Sequence, residues 1–196
     1  MLMVLSLLIL AAGCTDKVTN PRPAQYFVFS FETTQGGPLE GWVTYTADID
    51  NQHWSITRTL DRAKDGISSA KFSLDDVGGK GKIWIQRIFP VDTSADYHVT
   101  VGYQFATSDF GTTGFWRIIT GARPYLVESA GELIYQDDTR NWSNTNVGHL
   151  WIGKSYQFDV QSNSRGQIYV QIGIRGDGEG FRTYYLDSVY LAFSKK

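Results

Sequence analysis

Two pairs of side chains stand out for the chemistry they could share: Trp84 with Gln86, and Tyr169 with Gln171. Each pair sits two residues apart in a run of β-branched neighbours, Ile83 and Ile85 in one case and Ile168, Val170, Ile172 and Ile174 in the other. Successive side chains of an extended strand point to opposite faces, so each pair lies on the face away from the aliphatic residues. A flat aromatic ring beside a primary amide suits sugar recognition: the ring covers the apolar face of a pyranose and the amide meets its hydroxyls. The same phase argument puts Gln104 on the wet side of the run 97–105 and sets Arg117 opposite Trp116 and Ile118. Trp116, and Trp142 in the polar stretch 137–146, add aromatic surface. The ligand-binding candidates are therefore Trp84, Gln86, Gln104, Trp116, Arg117, Trp142, Tyr169 and Gln171. For each of them the alternative is a structural place in the core, where Trp42 and Trp151 are assigned.

Bond-making chemistry has less to work with. The three histidines, His53, His98 and His149, are far apart and in no metal-ligand spacing. No GxSxG nucleophile turn is present. Asp75-Asp76 and Asp137-Asp138 are adjacent carboxylates that a strand would send to opposite faces, so neither makes an acid/base couple alone. No catalytic residue is assigned. A small glycoside hydrolase with dispersed carboxylates stays open as a third reading, because such carboxylates come from distant parts of a chain.

The elements that must position these residues read as strand after strand. Ala70, Phe72 and Leu74 alternate with polar neighbours, as do Tyr97, Val99, Val101, Tyr103 and Phe105, and Tyr156, Phe158 and Val160. Such alternation means one buried and one wet face. Turn formers separate the runs: Gly36-Gly37-Pro38, Gly78-Gly79, Ser164-Arg165-Gly166 and Gly176-Asp177-Gly178. No stretch has sustained helical periodicity; Asp61 to Lys64 suits one short turn. About nine to eleven short strands of uneven spacing predict an all-β fold, an antiparallel β-sandwich or jelly roll, with a closed barrel as the alternative.

Charge is nearly balanced, 18 Lys and Arg against 20 Asp and Glu, so there is no basic stripe for a phosphate backbone and nucleic acid is not an expected partner. Cys14 is the sole cysteine, which excludes an internal disulfide. Residues 1–13 are uncharged and mostly apolar, shorter than the roughly 20 residues that span a bilayer. They end in Ala11-Ala12-Gly13-Cys14. That end resembles the lipobox of bacterial lipoproteins, though no Lys or Arg precedes the apolar run and Ala11 stands where such boxes more often carry Leu. The resemblance implies cleavage before Cys14, acylation of Cys14, and export to the cell envelope with the chain anchored in the lipid bilayer. The alternative is an ordinary secretory signal cut nearby. The expected organisation is 1–13 signal peptide, 14–25 acylated cysteine and polar tether, and 26–196 a single β-sandwich domain.

Three stretches resemble a galactose-binding-like jelly roll, the fold of many carbohydrate-binding modules. They are Phe29-Ser30-Phe31-Glu32 with Leu39-Glu40-Gly41-Trp42, then Asp65-Gly66-Ile67-Ser68-Ser69-Ala70, then Leu186-Asp187-Ser188-Val189. The resemblance implies a structural Ca2+ site at one edge, with Glu32 and Asp187 as carboxylate ligands and the loop from Asp65 to Ser68 between them. Asp187 falls in phase with Val189, Leu191 and Phe193, and a carboxylate on a buried phase is costly unless paired or metal-bound; the alternative is that it caps backbone amides or meets an arginine such as Arg182. The expected function is glycan capture without bond chemistry by an envelope lipoprotein. The competing reading is a structural or protein-interaction lipoprotein.

Overall fold

A computed structural model describes residues 24–107, 116–139, 149–178 and 180–196. Eleven strands follow one another among them: β1 (Gln25–Phe29), β2 (Val43–Ala47), β3 (Trp54–Thr59), β4 (Ser69–Asp76), β5 (Lys82–Pro90), β6 (Asp96–Thr107), β7 (Arg117–Arg123), β8 (Tyr135–Asp138), β9 (Leu150–Gln161), β10 (Gln167–Arg175) and β11 (Gly180–Lys195). They form two separate antiparallel sheets rather than a closed barrel. The first runs β3-β4-β11-β6-β9, with β1 added along β11, and the second runs β2-β5-β10-β7-β8. The expected β-sandwich is the fold observed. The only helical turn among the described residues is a 3-10 turn, Ala130–Glu132, which hydrophobic periodicity does not reveal.

The alternating runs supply the core between the sheets. Tyr97, Val99, Val101, Tyr103 and Phe105 of β6 are all buried, and Ile168, Val170, Ile172 and Ile174 of β10 face them from the other sheet. At one end Phe27, Phe29, Trp42, Phe89 and Phe193 meet mostly edge to face with centroids 5.0–6.1 Å apart, the arrangement that ring quadrupoles favour, and Phe89 and Phe193 are tilted at 35°. Trp42 is thus in the core as expected. Trp151 is not: it registers with Ala106 on the outer phase of the first sheet and is half-buried, while its neighbour Ile152 registers with the core residue Phe105.

Asp187 also departs from its expected phase. The register of β11 on β6 slips between Asp187 and Tyr190, and Ser188 adopts φ +50°. An extra residue in one strand flips the facing of everything beyond it. The core-facing set is therefore Tyr184 and Leu186 before the bulge, then Val189, Leu191 and Phe193 after it. Asp187 is fully buried by a loop rather than by the sandwich.

Candidate functional site

The outer face of the second sheet is ordered in rows. One row runs Tyr45, Trp84, Gly173, Ile119 and Tyr135 across all five strands. The next runs Val43, Gln86, Gln171 and Gly121, and the one after it Ile88, Tyr169 and Arg123. Trp84, Gln86, Tyr169 and Gln171 therefore share one face, as their spacing predicts, and Arg117 lies on the same face at its far end opposite Arg175.

That face is not bare. The segment 124–134 crosses it as a plug. Val127 and Leu133 close against Trp84 and Ile119 in a second small core, with Tyr45, Ala47 and Tyr135 at its rim. The glycines of the face make room for this layering. A Cβ on Gly173 would lie 2.5 Å from the Trp84 Cβ, and one on Gly121 would lie 3.1 Å from the Ile134 side chain. The plug holds its own shape through a capping box: the Glu132 carboxylate accepts bonds from the Ser129 hydroxyl (2.9 Å) and from the backbone N–H of Ser129 (3.2 Å) and Glu128 (3.3 Å). These donors hold the Glu132 carboxyl below its ordinary range.

The exposure expected of several candidates is thereby overturned. Trp84 is fully buried, and Gln86 and Gln171 are each only 2% exposed. Their phase is right, but alternation says nothing about a loop that returns from elsewhere in the chain to cover them. Trp116 is fully buried for a different reason: it faces the main core, 5.8 Å from the Tyr184 ring. Gln104 is half-buried on the other sheet, registered with Asp187 and Gly153, so it does not join the set. Arg117 is exposed and pairs with Asp177 at 3.3 Å. Tyr169 is half-buried, its hydroxyl donating to the Gln167 side-chain oxygen at 3.3 Å. Trp142 and Cys14 lie outside the described residues.

Beside the plug, at the β2 edge, the face keeps a cavity of about 200 Å³. Its walls are Val43, Tyr45, Ile88 and Leu126, with Gln86, Gly41 and Arg87 completing it. Three of the four wall residues are exposed aliphatic side chains, and the fourth, Tyr45, stacks on Trp84 at 5.7 Å and 15°. Burial, and then the Glu128 charge, push the Tyr45 phenol up, so it stays a neutral donor and acceptor. Gln86 is the buried polar group. Its Oε1 accepts from Gln171 Nε2 (2.9 Å) and from the backbone N–H of Val127 (3.2 Å), and its amide also interacts with the Tyr45 hydroxyl. Arg87 donates to the Glu40 carbonyl and lies over the Phe29 ring at 4.5 Å. Sequence reasoning missed Tyr45, Val43 and Leu126. The first two sit in a five-residue strand whose alternation is too short to stand out, and Leu126 belongs to the plug.

A second polar cluster ties the loop 60–68 to the segment that follows β1 and to β11. Glu32 Oε1 accepts the backbone N–H of Ile67 and of Ser68, each at 2.8 Å. Asp187 Oδ2 accepts those of Lys64 (2.7 Å) and Asp65 (3.1 Å), and its Oδ1 accepts that of Ser188 (2.6 Å). The amides hold Glu32 below its ordinary range. Burial pushes Asp187 up, opposed by its amides, and the nearby Glu32 charge adds to the rise. Two like charges on one loop fit a divalent cation by sign and by ligand type. The loop turns N–H groups toward them, however, and the other two expected ligands have other partners: Ser68 Oγ donates to the Phe31 carbonyl (2.6 Å), and Asp65 Oδ1 accepts from Gly66 N–H (3.0 Å). Arg58 takes the Phe31 and Glu32 carbonyls. No three acidic, His or Cys side chains converge among the described residues.

No protein-family model matches the chain, and no curated protein matches it in sequence. Several solved structures are similar. The K2 cleaved adhesin domain of Lys-gingipain matches at 18% identity and a TM-score of 0.50, over 86% of this chain and 97% of that one. The arabinose-bound α-L-arabinofuranosidase MgGH51 matches at 14% identity and a TM-score of 0.50, over 81% of this chain but 25% of the enzyme. The module TmCBM61, in complex with β-1,4-galactotriose, matches at 16% identity and a TM-score of 0.48, over 83% of this chain and 92% of that one. What is shared at such identities is the β-sandwich fold alone.

Proposed function

We propose that this protein is a non-catalytic glycan-binding domain displayed at a bacterial cell envelope through an acylated Cys14. One observation carries the glycan reading: the cavity at the β2 edge joins an aromatic wall and three aliphatic ones to polar groups, the Tyr45 hydroxyl with the Gln86 amide behind it. A sugar needs that combination, because its ring presents apolar C–H groups beside hydroxyls that accept and donate. The test is a broad glycan array probed with the full chain carrying Cys14→Ser, with Tyr45→Ala beside it. Binding that Tyr45→Ala removes supports the reading; a folded protein that binds nothing on the array ends it.

The anchor rests on the lipobox-like residues 11–14. Metabolic labelling with a radioactive fatty acid in a bacterial host checks it: the label appears in the parent chain and not in Cys14→Ser. A parent chain that stays unlabelled and in the soluble fraction removes the membrane from the mechanism.

The resemblance to galactose-binding-like domains adds calcium, with Glu32 and Asp187 as the residues that would hold it. Its part would be structural, neutralising the two carboxylates and pinning the loop 60–68 to β11 and to the segment after β1. The like-charge pair supports the ion. The amides already bound to both carboxylates do part of the same work.

A further inference from the structure

We infer that the cavity receives one terminal sugar residue of a glycan, and that the plug 124–134 prevents a chain from lying across the sheet. This rests on the glycan reading and adds to it the form of the ligand. A chain bound across the strands would follow the row from Tyr45 through Trp84, Gly173 and Ile119 to Tyr135. The middle of that row is closed: Trp84, Ile119 and Val127 have no exposure and Leu133 has 7%. The closure is built rather than incidental. Val127 N–H binds Gln86, Asn163 Nδ2 donates to the Pro124 carbonyl at 2.9 Å, and Ile134 returns to accept from Thr120 N–H at 3.1 Å. The Tyr135 hydroxyl holds the turn at the Ala130 carbonyl, 3.0 Å.

What remains open is the end of the face beside Leu126. At about 200 Å³ it is smaller than the roughly 300–1,000 Å³ of pockets that hold drug-sized ligands. One ring fits that space better than several in series. The Tyr45 hydroxyl, backed by the Gln86 amide, then meets a ring hydroxyl, and the aliphatic walls take the C–H face. The plug stops the chain from continuing over Trp84, so the rest of the glycan leaves toward solvent.

The experiment compares glycans by their ends. On the array, the bound set is expected to share one terminal residue whatever lies beneath it. In solution, the methyl glycoside of that residue is expected to bind within about tenfold of the hexasaccharide bearing it. Hits that share an internal repeat, with affinity rising more than tenfold from disaccharide to hexasaccharide, overturn the inference and leave the glycan reading standing. An array with no hits removes both. Leu126→Trp, at a position already 36% exposed, fills the cavity without touching the core. It is expected to abolish binding with an unchanged melting temperature; retained binding overturns the assignment of the cavity. Replacing 126–133 by a short Gly-Ser linker tests the plug itself. If that variant still folds, it is expected to gain dependence on chain length, and a folded variant without such gain shows that the plug does not set the ligand's form.

Discussion

Gln171 donates its amide N–H to Gln86 Oε1 across β10 and β5 at 2.9 Å, and the same oxygen receives Val127 N–H from the plug at 3.2 Å. One side chain thus joins the sheet to the segment laid over it. Gln86→Leu keeps the volume but removes that acceptor. Gln171 still has the Tyr169 carbonyl at 3.2 Å, whereas Val127 N–H is left buried and unmatched. The expected cost is about 1–3 kcal/mol in urea denaturation. A midpoint that does not move means the Val127 contact contributes nothing to docking the plug.

Gly173 lies where β10 passes Trp84. A Cβ there would stand 2.2 Å from the Ile83 carbonyl oxygen, a backbone atom that cannot rotate away. Gly173→Ala is expected to destabilise by about 1–3 kcal/mol, as overpacking does. Gly131, in the plug, has nothing within 4 Å of its Cβ position, and Gly131→Ala serves as the control. Equal melting temperatures for the two variants would contradict the packing described for Trp84.

How far these features were legible in the sequence depends on what each residue's neighbours do. The alternation of residues 97–105 and of 168–174 predicted two buried faces correctly, because period two is a local property of the strand. It also set Trp84, Gln86, Tyr169 and Gln171 on one face. It could not tell that residues 124–134 come back to cover them, since that contact joins positions some forty residues apart and has no periodic trace. Asp187 was misassigned to the core phase because a bulge at Ser188 breaks the count, and nothing in Asp-Ser-Val announces a bulge. Its amide partners, Lys64 and Asp65, lie more than a hundred residues away.

Acid should loosen the plug. Glu132 titrates below its ordinary value in the folded protein because Ser129 and two amides hold its carboxylate. A group with a depressed folded pKa contributes in full above its unfolded pKa, about 4.3 for Glu, and the contribution fades as pH falls through the folded value. Amide exchange at Ser129 and Val127 should therefore accelerate below about pH 4 beyond the rest of the second sheet. Glu132→Ala should show the faster exchange already at neutral pH. Uniform protection across that range in both proteins would leave the capping box without a role.

Calcium gives the fourth expectation. An ion held by Glu32 and Asp187 binds the folded chain alone, so millimolar calcium should raise the melting temperature and a chelator should lower it. Asp187→Asn should remove the response. Identical melts with calcium and with chelator would mean that the protein's own groups, the backbone amides first, hold both carboxylates without the ion.

β1 has a mechanical consequence. A load entering through the residues before Gln25 reaches the sandwich first at this strand, which is held along β11 by five register pairs from Gln25–Phe193 to Phe29–Val189. Phe27 and Phe29 add their contacts to Phe89 and Phe193, and the opposite edge of β1 pairs with no described strand. A pull from that side loads this ladder before it loads the contacts between the sheets. The proposed anchor at Cys14 would therefore transmit force to the proposed sugar-binding face through a five-residue ladder.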